Sequence, residues 1–307
     1  MTELRDQFDS PWKEILEIYF EDFVQFFFPQ IHAEIDWNRG YDFLDQELAQ
    51  VVRDAELGKR LADKLVKVWK LSGEETWVLV HIEIQSQEEG QFSKRMFVYY
   101  YRLRDKYDLP IASLAILGDE RDTWRPQPFQ DELWGCEVSF RFPIIKLLDY
   151  LPRWAELEAS QNPFAIVVMA HLKTKETRND AAARKEWKFK LTRMLYERGY
   201  ERQDILNLFR FIDWILELPE DLKRSFRDEL EAYEREQQMP YVTSIERMGI
   251  EQGIEQGIEQ GEDRATQKIA INMLQENISL ETIARITGLT IEQLQQLQFD
   301  RENDRSN

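Results

Sequence analysis

The chain has little of what an extracellular or membrane protein needs. Its 307 residues include one cysteine, Cys136, which excludes an internal disulfide framework and a cysteine-based zinc site. No apolar run approaches the roughly 20 residues that cross a bilayer, and residues 1–6 lack the basic region and apolar core of a signal peptide. We therefore expect a cytoplasmic protein without a membrane partner.

Positive charge is also scarce. The chain has 40 Lys and Arg against 58 Asp and Glu, which gives a formal net charge of −18. Binding to a phosphate backbone requires clustered Lys and Arg, so any DNA-binding surface must be local. One such stretch, residues 173–202, has ten Lys or Arg against five Asp or Glu. It is a candidate phosphate-binding surface, although a solvated helix face is the simpler interpretation.

What is present suits a globular protein of one large or two modest domains, since 43% of the residues are hydrophobic and 32% are charged. The composition changes near Pro240, after which Gln, Glu and Ile predominate. We predict three parts: an α/β domain over residues 1–150, a helical region over 151–240, and a repeat helix with a helical hairpin over 241–307.

The hydrophobic patterns predict helices, then a hairpin, then mixed elements. Ser10-Pro11 is a typical helix start, and Pro29 should end that helix. The other predicted elements are a helix at 41–54, hairpin strands at 61–71 and 76–86, a helix after Gly90, strands at 111–117 and 137–142, and helices over 144–238. This order favours a mixed sheet flanked by helices, followed by an all-helical part.

One predicted strand carries polar side chains at its end. Over residues 77–85 apolar residues alternate, and period-2 geometry places Glu83 and Gln85 on one face with His81. A half-buried carboxylate is costly unless it is paired or binds a cation, so Glu83 indicates a divalent metal site. His81 itself is better interpreted as a core histidine, because no second histidine lies at metal-ligand spacing.

The neighbouring strand carries a second carboxylate. A modest register would place Asp63 beside Glu83 and Gln85, and hard oxygen ligands of this kind suit Mg²⁺, with Mn²⁺ as an alternative. Such a metal activates water and neutralises charge in phosphodiester hydrolysis. Taken alone, Asp63 between Arg60 and Lys64 is more simply a solvated strand residue. Nearby cations, among them Lys59, Arg60, Lys64, Lys67, Lys70, Lys94, Arg95, Arg102 and Arg104, make a local cationic face plausible.

Three segments carry a resemblance to a known family. They are Gly58-Lys59-Arg60-Leu61-Ala62-Asp63, His81-Ile82-Glu83-Ile84-Gln85-Ser86-Gln87 and Arg95-Met96-Phe97-Val98-Tyr99-Tyr100-Tyr101. Together they resemble the PD-(D/E)XK nuclease superfamily, in its recombination-promoting nuclease / putative transposase (Rpn-like) branch. The resemblance covers residues 36–142. The sequence departs from the wider superfamily pattern at Ala62, where proline is usual, and at Gln85, where lysine is usual.

The resemblance implies a restriction-endonuclease-like core and a Mg²⁺-dependent DNA endonuclease linked to recombination or mobile elements. It implies that Asp63 and Glu83 bind the metal, that Gln85 positions water or binds phosphate, and that Glu47 assists from the preceding helix. Because Gln85 cannot supply a positive charge, the alternative is a catalytically inactive nucleic-acid-binding or assembly protein that retains the fold.

The C-terminal part contains a repeat and a helical pair. Gly-Ile-Glu-Gln recurs three times from Gly249 and closes at Gly261, with a period that fits a helix. Small residues at every fourth position favour close packing against another helix, and hence a homo-oligomer through this region; the alternative is a flexible linker. Residues 279–294 look like helix-turn-helix, but scarce cations favour a packing hairpin over a base-reading module.

Overall fold

The computed structural model describes residues 3–54, 62–83, 92–243, 283 and 289–290. Within these ranges it describes the side chains of residues 11–51, 64–82, 92–243, 283 and 289–290. The chain divides into two compact units, residues 1–241 and 242–307. The division into three parts that we predict from the sequence stays a prediction. Within the described residues, no helix combines the length and the apolar character that crossing a bilayer requires.

The first unit alternates helices and strands before it becomes helical. Its helices are α1 (Glu3–Ile18), α2 (Phe20–Phe27), α3 (Pro29–His32), α4 (Asp45–Asp54), α5 (Phe92–Tyr107), α6 (Trp154–Ala159), α7 (Pro163–Glu176), α8 (Ala181–Glu197), α9 (Arg202–Ile215) and α10 (Glu220–Gln237). Two short 3-10 helices cover Trp37–Arg39 and Leu147–Arg153. Its strands are β1 (Asp42–Phe43), β2 (Ala62–Trp69), β3 (Glu75–Glu83), β4 (Ile111–Leu117), β5 (Phe129–Leu133), β6 (Cys136–Phe140) and β7 (Ile144–Lys146).

The central sheet is mixed. Its strand order is β1-β2-β3-β4-β7, with β1, β2 and β3 antiparallel and β3, β4 and β7 parallel. Gly73, at φ 89°, lies in the turn of the β2–β3 hairpin, where a left-handed conformation favours glycine. Because parallel neighbours require a crossover, the chain passes through α5 between β3 and β4. The predicted mixed sheet with flanking helices is confirmed.

Each face of the β2–β3 pair is buried against helices. On one face, Leu65, Trp77 and Leu79 pack with side chains of α4 and α5, among them Leu48, Val51, Tyr99 and Leu103. The opposite face carries Val66, Val78 and Val80, all buried, and α1 packs against β2. A hairpin buried on both faces explains why its sequence is rich in Val and Leu.

The helical region after the sheet is organised around α7. Every residue from Pro163 to Lys173 is buried, so this part of the helix is enclosed on all sides, and the helix contacts α2, α6, α8 and α9. Asn162 caps its first turn, since the side-chain oxygen accepts from the Phe164 N–H at 2.9 Å. The predicted helical character is confirmed over Trp154–Gln237.

Several local features differ from the sequence-based predictions, among them β1, which occupies the start of the helix predicted at 41–54. Helix α1 begins at Glu3 and carries Pro11 in its interior, so Ser10-Pro11 is not its start. Strand β5 is not predicted from the sequence, because most of its residues are exposed and so they show no alternation of apolar and polar residues. Strand β7 lies in a segment that we predict to be helical. It has only three residues, too few for a recognisable alternation, and it is a strand because it pairs with β4.

Candidate metal centre

The β2–β3 register brings the two candidate metal ligands onto one face of the sheet. Asp63 is the direct antiparallel partner of His81, and Glu83 follows His81 by two residues. Direct partners share a face, and so do alternate residues of a strand, so positions 63, 81 and 83 lie together. Positions 63 and 83 are diagonal neighbours, a relationship that separates Cα atoms by about 7–8 Å.

This spacing fits a shared divalent cation. Mg²⁺ binds carboxylate oxygens at about 2.1 Å, so two oxygens bound to one ion lie at most about 4 Å apart. The length of an Asp and a Glu side chain is enough to span the difference between this distance and the separation of the Cα atoms. The side chains of Asp63 and Glu83 and the whole of Gln85 lie outside the described residues. Among the side chains that are described, no three His, Cys, Asp or Glu residues form a group that could hold a metal. The metal-ligand roles therefore stay predictions.

His81 is fixed next to these positions by α5. The side chain is fully buried, its ring packs edge-on against Phe92 at 5.1 Å, and Arg95 Nη2 lies 3.1 Å from His81 Nε2. Guanidinium nitrogens only donate, so Nε2 accepts and the ring proton is assigned to Nδ1 of an uncharged imidazole. The interpretation of His81 as a core histidine is confirmed. This residue also links Arg95 to the candidate metal centre.

A buried ion pair lies at the same edge of the sheet. Leu117 on β4 pairs with both Glu83 on β3 and Lys146 on β7, which places the three positions in one row across the parallel strands. Lys146 Nζ donates to both carboxylate oxygens of Asp119, at 2.9 and 3.0 Å, and to the Trp124 carbonyl oxygen at 3.2 Å. Each side chain of the pair is 1% exposed. This pair is structural, because its groups are saturated and shielded from solvent.

Sequence reasoning misses the Asp119–Lys146 pair. The available signal is that Asp119 follows a buried strand by two residues, at the carboxyl edge where α/β sheets gather polar groups. Its partner Lys146 belongs to a segment that we predict to be helical, so nothing in the pattern joins them.

Two basic side chains of α7 face the loop after β4. His171 Nε2 donates to the Gly118 carbonyl oxygen at 2.9 Å, and Lys175 donates to the same oxygen. Burial, with a smaller effect from the charge of Lys175, lowers the pKa of His171 to about 3. Burial also lowers the pKa of Lys175 to about 8, against the opposing effects of Glu120 and Asp119. The helix is thus anchored to the sheet edge by a neutral histidine.

Glu47 occupies the first turn of α4 and is half-buried. Its charge contributes to raising the pKa of Lys67, after a larger effect from the hydrogen bond to Asp42. Lys67 is four residues from Asp63 along β2, or roughly 13 Å at about 3.3 Å per residue. The predicted role of Glu47 beside the metal is untested.

The lysines of the β2–β3 hairpin that the structure describes have carboxylate partners. Lys64 is buried and pairs with Glu17 and with Asp45, the latter at 2.8 Å. Lys67 pairs with Asp42 and Lys70 with Glu74. Lys59 and Arg60 lie outside the described residues. Three cations of the predicted face, all on or next to β2, are therefore neutralised by carboxylates.

The basic stretch at residues 173–202 is likewise paired. Six of its ten cations form ion pairs with carboxylates, namely Lys173, Arg178, Lys185, Lys188, Lys190 and Arg193. Lys173 is buried between the rings of Trp154 and Trp187, at 4.6 and 4.0 Å. The stretch serves helix packing, which favours the simpler of the two interpretations given above.

The C-terminal predictions fall mostly outside the described residues. The Gly-Ile-Glu-Gln repeat, 249–261, lies wholly outside them, so assembly through this region stays a prediction. Of the predicted helical pair at 279–294, only Ile283, Leu289 and Thr290 are described, and Ile283 is helical and buried.

Comparison with known protein families gives one match. Residues 263–298 match the model of the Rpn/YhgA-like nuclease family, C-terminal HTH domain. No curated protein and no solved structure matches the chain. The match supports assignment to the Rpn-like family, and the PD-(D/E)XK superfamily is consistent with that family. It covers 36 of the 307 residues and shows that the predicted helical pair is similar to the HTH domain of that family.

Proposed function

We propose that this protein is a Mg²⁺-dependent endonuclease-like enzyme that hydrolyses phosphodiester bonds in DNA. One observation carries the proposal: the β2–β3 register places Asp63 opposite His81 and diagonal to Glu83 on one sheet face. The match to the Rpn/YhgA-like nuclease family supports it independently, since that match lies about 180 residues further along the chain. A link to recombination or mobile elements rests on the family resemblance.

The chain's own residues have distinct roles in this proposal. Asp63 and Glu83 would hold the cation, and Mn²⁺ would fit the same oxygen ligands. The bound metal would supply Lewis-acid stabilisation of the phosphate and activation of water. The Gln85 amide can donate to a phosphate oxygen or accept from the attacking water, but it carries no charge. Glu47 would orient solvent near the ligands.

A second candidate function is DNA binding without cleavage. It is favoured by Gln85, because the superfamily lysine at this position carries a positive charge that an amide lacks. In this case the α/β domain would serve as a scaffold, and residues 263–298 would provide the DNA contact.

A metal-dependence assay separates the two functions. Supercoiled plasmid is incubated with the purified full chain in Mg²⁺, in Mn²⁺ or with a chelator, and relaxed and linear products are quantified. The proposal expects products with either cation and none with the chelator. DNA retention in a gel-shift assay without products under any metal condition would instead establish the binding function.

A further inference from the structure

The β5–β6 hairpin, residues 129–140, forms an arm whose base packs on α5. There the Phe129 ring stacks on Phe97 with centroids 4.7 Å apart, and the Phe140 ring lies 4.7 Å from that of Tyr100. An isolated two-stranded hairpin is marginally stable in water, so it depends on packing of this kind against a helix or sheet. The base of the arm is therefore secured by the chain's own α5.

The tip of the arm continues the same apolar face, but it is open to solvent. The register pairs Leu133 with Cys136, and strand alternation places both residues, with Val138, on the face that packs on α5 at the base. Leu133 is 63% exposed and Val138 is 38% exposed, while Trp134 at the tip is 97% exposed. Large apolar side chains that adjoin one another on a surface mark an interaction site.

Trp134 occupies a backbone position that favours other residues. Trp134 and Gly135 form the two-residue turn of the hairpin, with φ of 52° and 83°. A turn with positive φ at both positions prefers asparagine, aspartate or glycine at the first, and a bulky residue there is strained. This indole is strained and lies almost wholly in water, so it adds no packing within its own chain. Contact with another molecule is the role that it fits.

The charge of the arm selects the kind of partner. Residues 129–140 contain three carboxylates, Asp131, Glu132 and Glu137, and no Lys or Arg. Glu132 and Glu137 are direct partners across the two strands, a position in which like charges repel. A phosphate backbone or an anionic membrane would add more negative charge to this surface. The arm therefore fits a surface that combines apolar side chains with cations.

A surface of this kind lies beside the arm on α5, which carries five Lys or Arg against one Asp. Tyr101 is 42% exposed on this helix, and its ring packs beside Phe97 at 5.4 Å. The exposed residues Lys94 and Arg104 lie seven and three residues from Tyr101, on the same side of the helix. Because Phe97 also supports the base of the arm, the acidic arm and this basic, aromatic face adjoin in one chain.

Two complementary surfaces that adjoin in one chain suit a symmetric dimer. A two-fold axis near their junction places the arm of each copy on α5 of the other, so that the same contact forms twice. We propose that the arm docks on α5 of a second copy of this chain. Trp134 and Leu133 then cover Tyr101, and the carboxylates of the arm face the cations of α5. The proposal is independent of the proposed nuclease function.

The first test is sedimentation velocity of the full chain over a range of concentrations. Trp134→Asn removes the indole and supplies the asparagine-glycine pair that this turn prefers, so the hairpin itself is kept. Trp214→Gln is the matched control, because Trp214 is a 40% exposed tryptophan on α9. We expect a wild-type dimer, a dissociation constant at least roughly 30-fold higher in Trp134→Asn, and no change in the control. A monomeric wild type, or wild-type dimerisation by Trp134→Asn, overturns the proposal.

A mixture of two defective variants tests the docking of arm on helix. Trp134→Asn has a defective arm and an intact α5, whereas Tyr101→Glu has the reverse, since a carboxylate on α5 repels the acidic arm. Each variant alone has two defective contacts per dimer, but a mixed dimer keeps one intact contact. Because side chains in contact have non-additive effects, we expect the mixed dimer to form with roughly tenfold higher affinity than either homodimer. A mixture that associates as weakly as its components overturns the proposal.

The wild-type protein offers a direct measurement on the arm. Cys136 is the single cysteine of the chain, is exposed, and is the register partner of Leu133. Its rate of reaction with a thiol reagent is compared above and below the concentration at which the mass doubles. A slower reaction in the dimer supports the proposal, and equal rates overturn it. A loss of DNA affinity in Trp134→Asn with unchanged mass would assign the arm to DNA and would likewise overturn it.

Discussion

Asp63 and His81 are direct partners across the antiparallel β2–β3 pair, and this single pairing fixes the geometry of the candidate metal centre. A shift of one residue would send Asp63 to the α1 side of the sheet, away from Glu83. Two buried apolar pairs hold the register. Leu65 and Leu79 pack together on one face of the sheet, and Val66 and Val78 pack together on the other. Core packing therefore places positions 63 and 83 on the same face of the sheet.

Removal of either candidate ligand should abolish cleavage. We expect Asp63→Ala and Glu83→Ala to lower plasmid nicking by at least about 100-fold, because each change deletes a metal ligand. Glu74→Ala is the matched control, since this exposed carboxylate lies in the turn of the same hairpin and pairs with Lys70. Nicking at wild-type rates by either ligand variant would show that the metal site is elsewhere.

Gln85→Lys tests the position at which the sequence departs from the superfamily pattern. If residue 85 acts on water and phosphate, lysine restores the usual charge, and nicking should stay at the wild-type level or rise. The measurement is the initial rate of plasmid relaxation at saturating Mg²⁺. Complete loss of activity would show that the amide has another role, for example a hydrogen bond that a lysine cannot accept.

Removing one partner of the buried Asp119–Lys146 pair should destabilise the fold. Asp119→Asn alone leaves a buried ammonium without a counter-charge, for which we expect a loss of about 3–5 kcal/mol in the free energy of unfolding. The double variant Asp119→Leu, Lys146→Met should recover much of this loss, because both charges are removed. Denaturant unfolding measures both. The exposed pair Arg153–Glu156 provides the control, and Arg153→Ala should leave the denaturation midpoint nearly unchanged.

His171 should make the protein sensitive to mild acid. The pKa of His171 in the folded state is lowered to about 3 from the usual 6.5, mainly by burial. Between these two pH values the unfolded chain binds a proton at His171 and the folded chain does not. The associated stability is full above pH 6.5 and falls as the pH decreases towards 3, by about 2–3 kcal/mol at roughly pH 4.5.

His171→Gln should flatten this dependence, since an amide can still donate to the Gly118 carbonyl oxygen but does not titrate. Unfolding free energies measured between about pH 7 and pH 4.5 give the comparison. His32→Gln, at a half-buried histidine on α3, controls for the loss of a histidine elsewhere. A slope in His171→Gln equal to that of the wild type would show that other groups govern the acid response.

Local patterns in the sequence determined much of this protein. Period-2 alternation in Trp77–Glu83 identified β3, the Ser72-Gly73 turn joined it to β2, and helical spacing identified α5 with Tyr99 in the core. These features depend on residues close together in the chain, and so a sequence reader can find them. The motif around Asp63 and Glu83 likewise predicted a shared site without proving that the strands meet.

Only the tertiary structure decided which distant groups face one another. The contact of Arg95 with His81 depends on how α5 crosses the sheet, and the Asp119–Lys146 pair depends on β7 lying beside β4. The basic stretch at 173–202 looks like a phosphate-binding surface in sequence, yet six of its ten cations pair with carboxylates, among them Glu158 and Glu229 on neighbouring helices. Charge pairing acts through space over a few ångströms, whereas sequence patterns report only on neighbours along the chain.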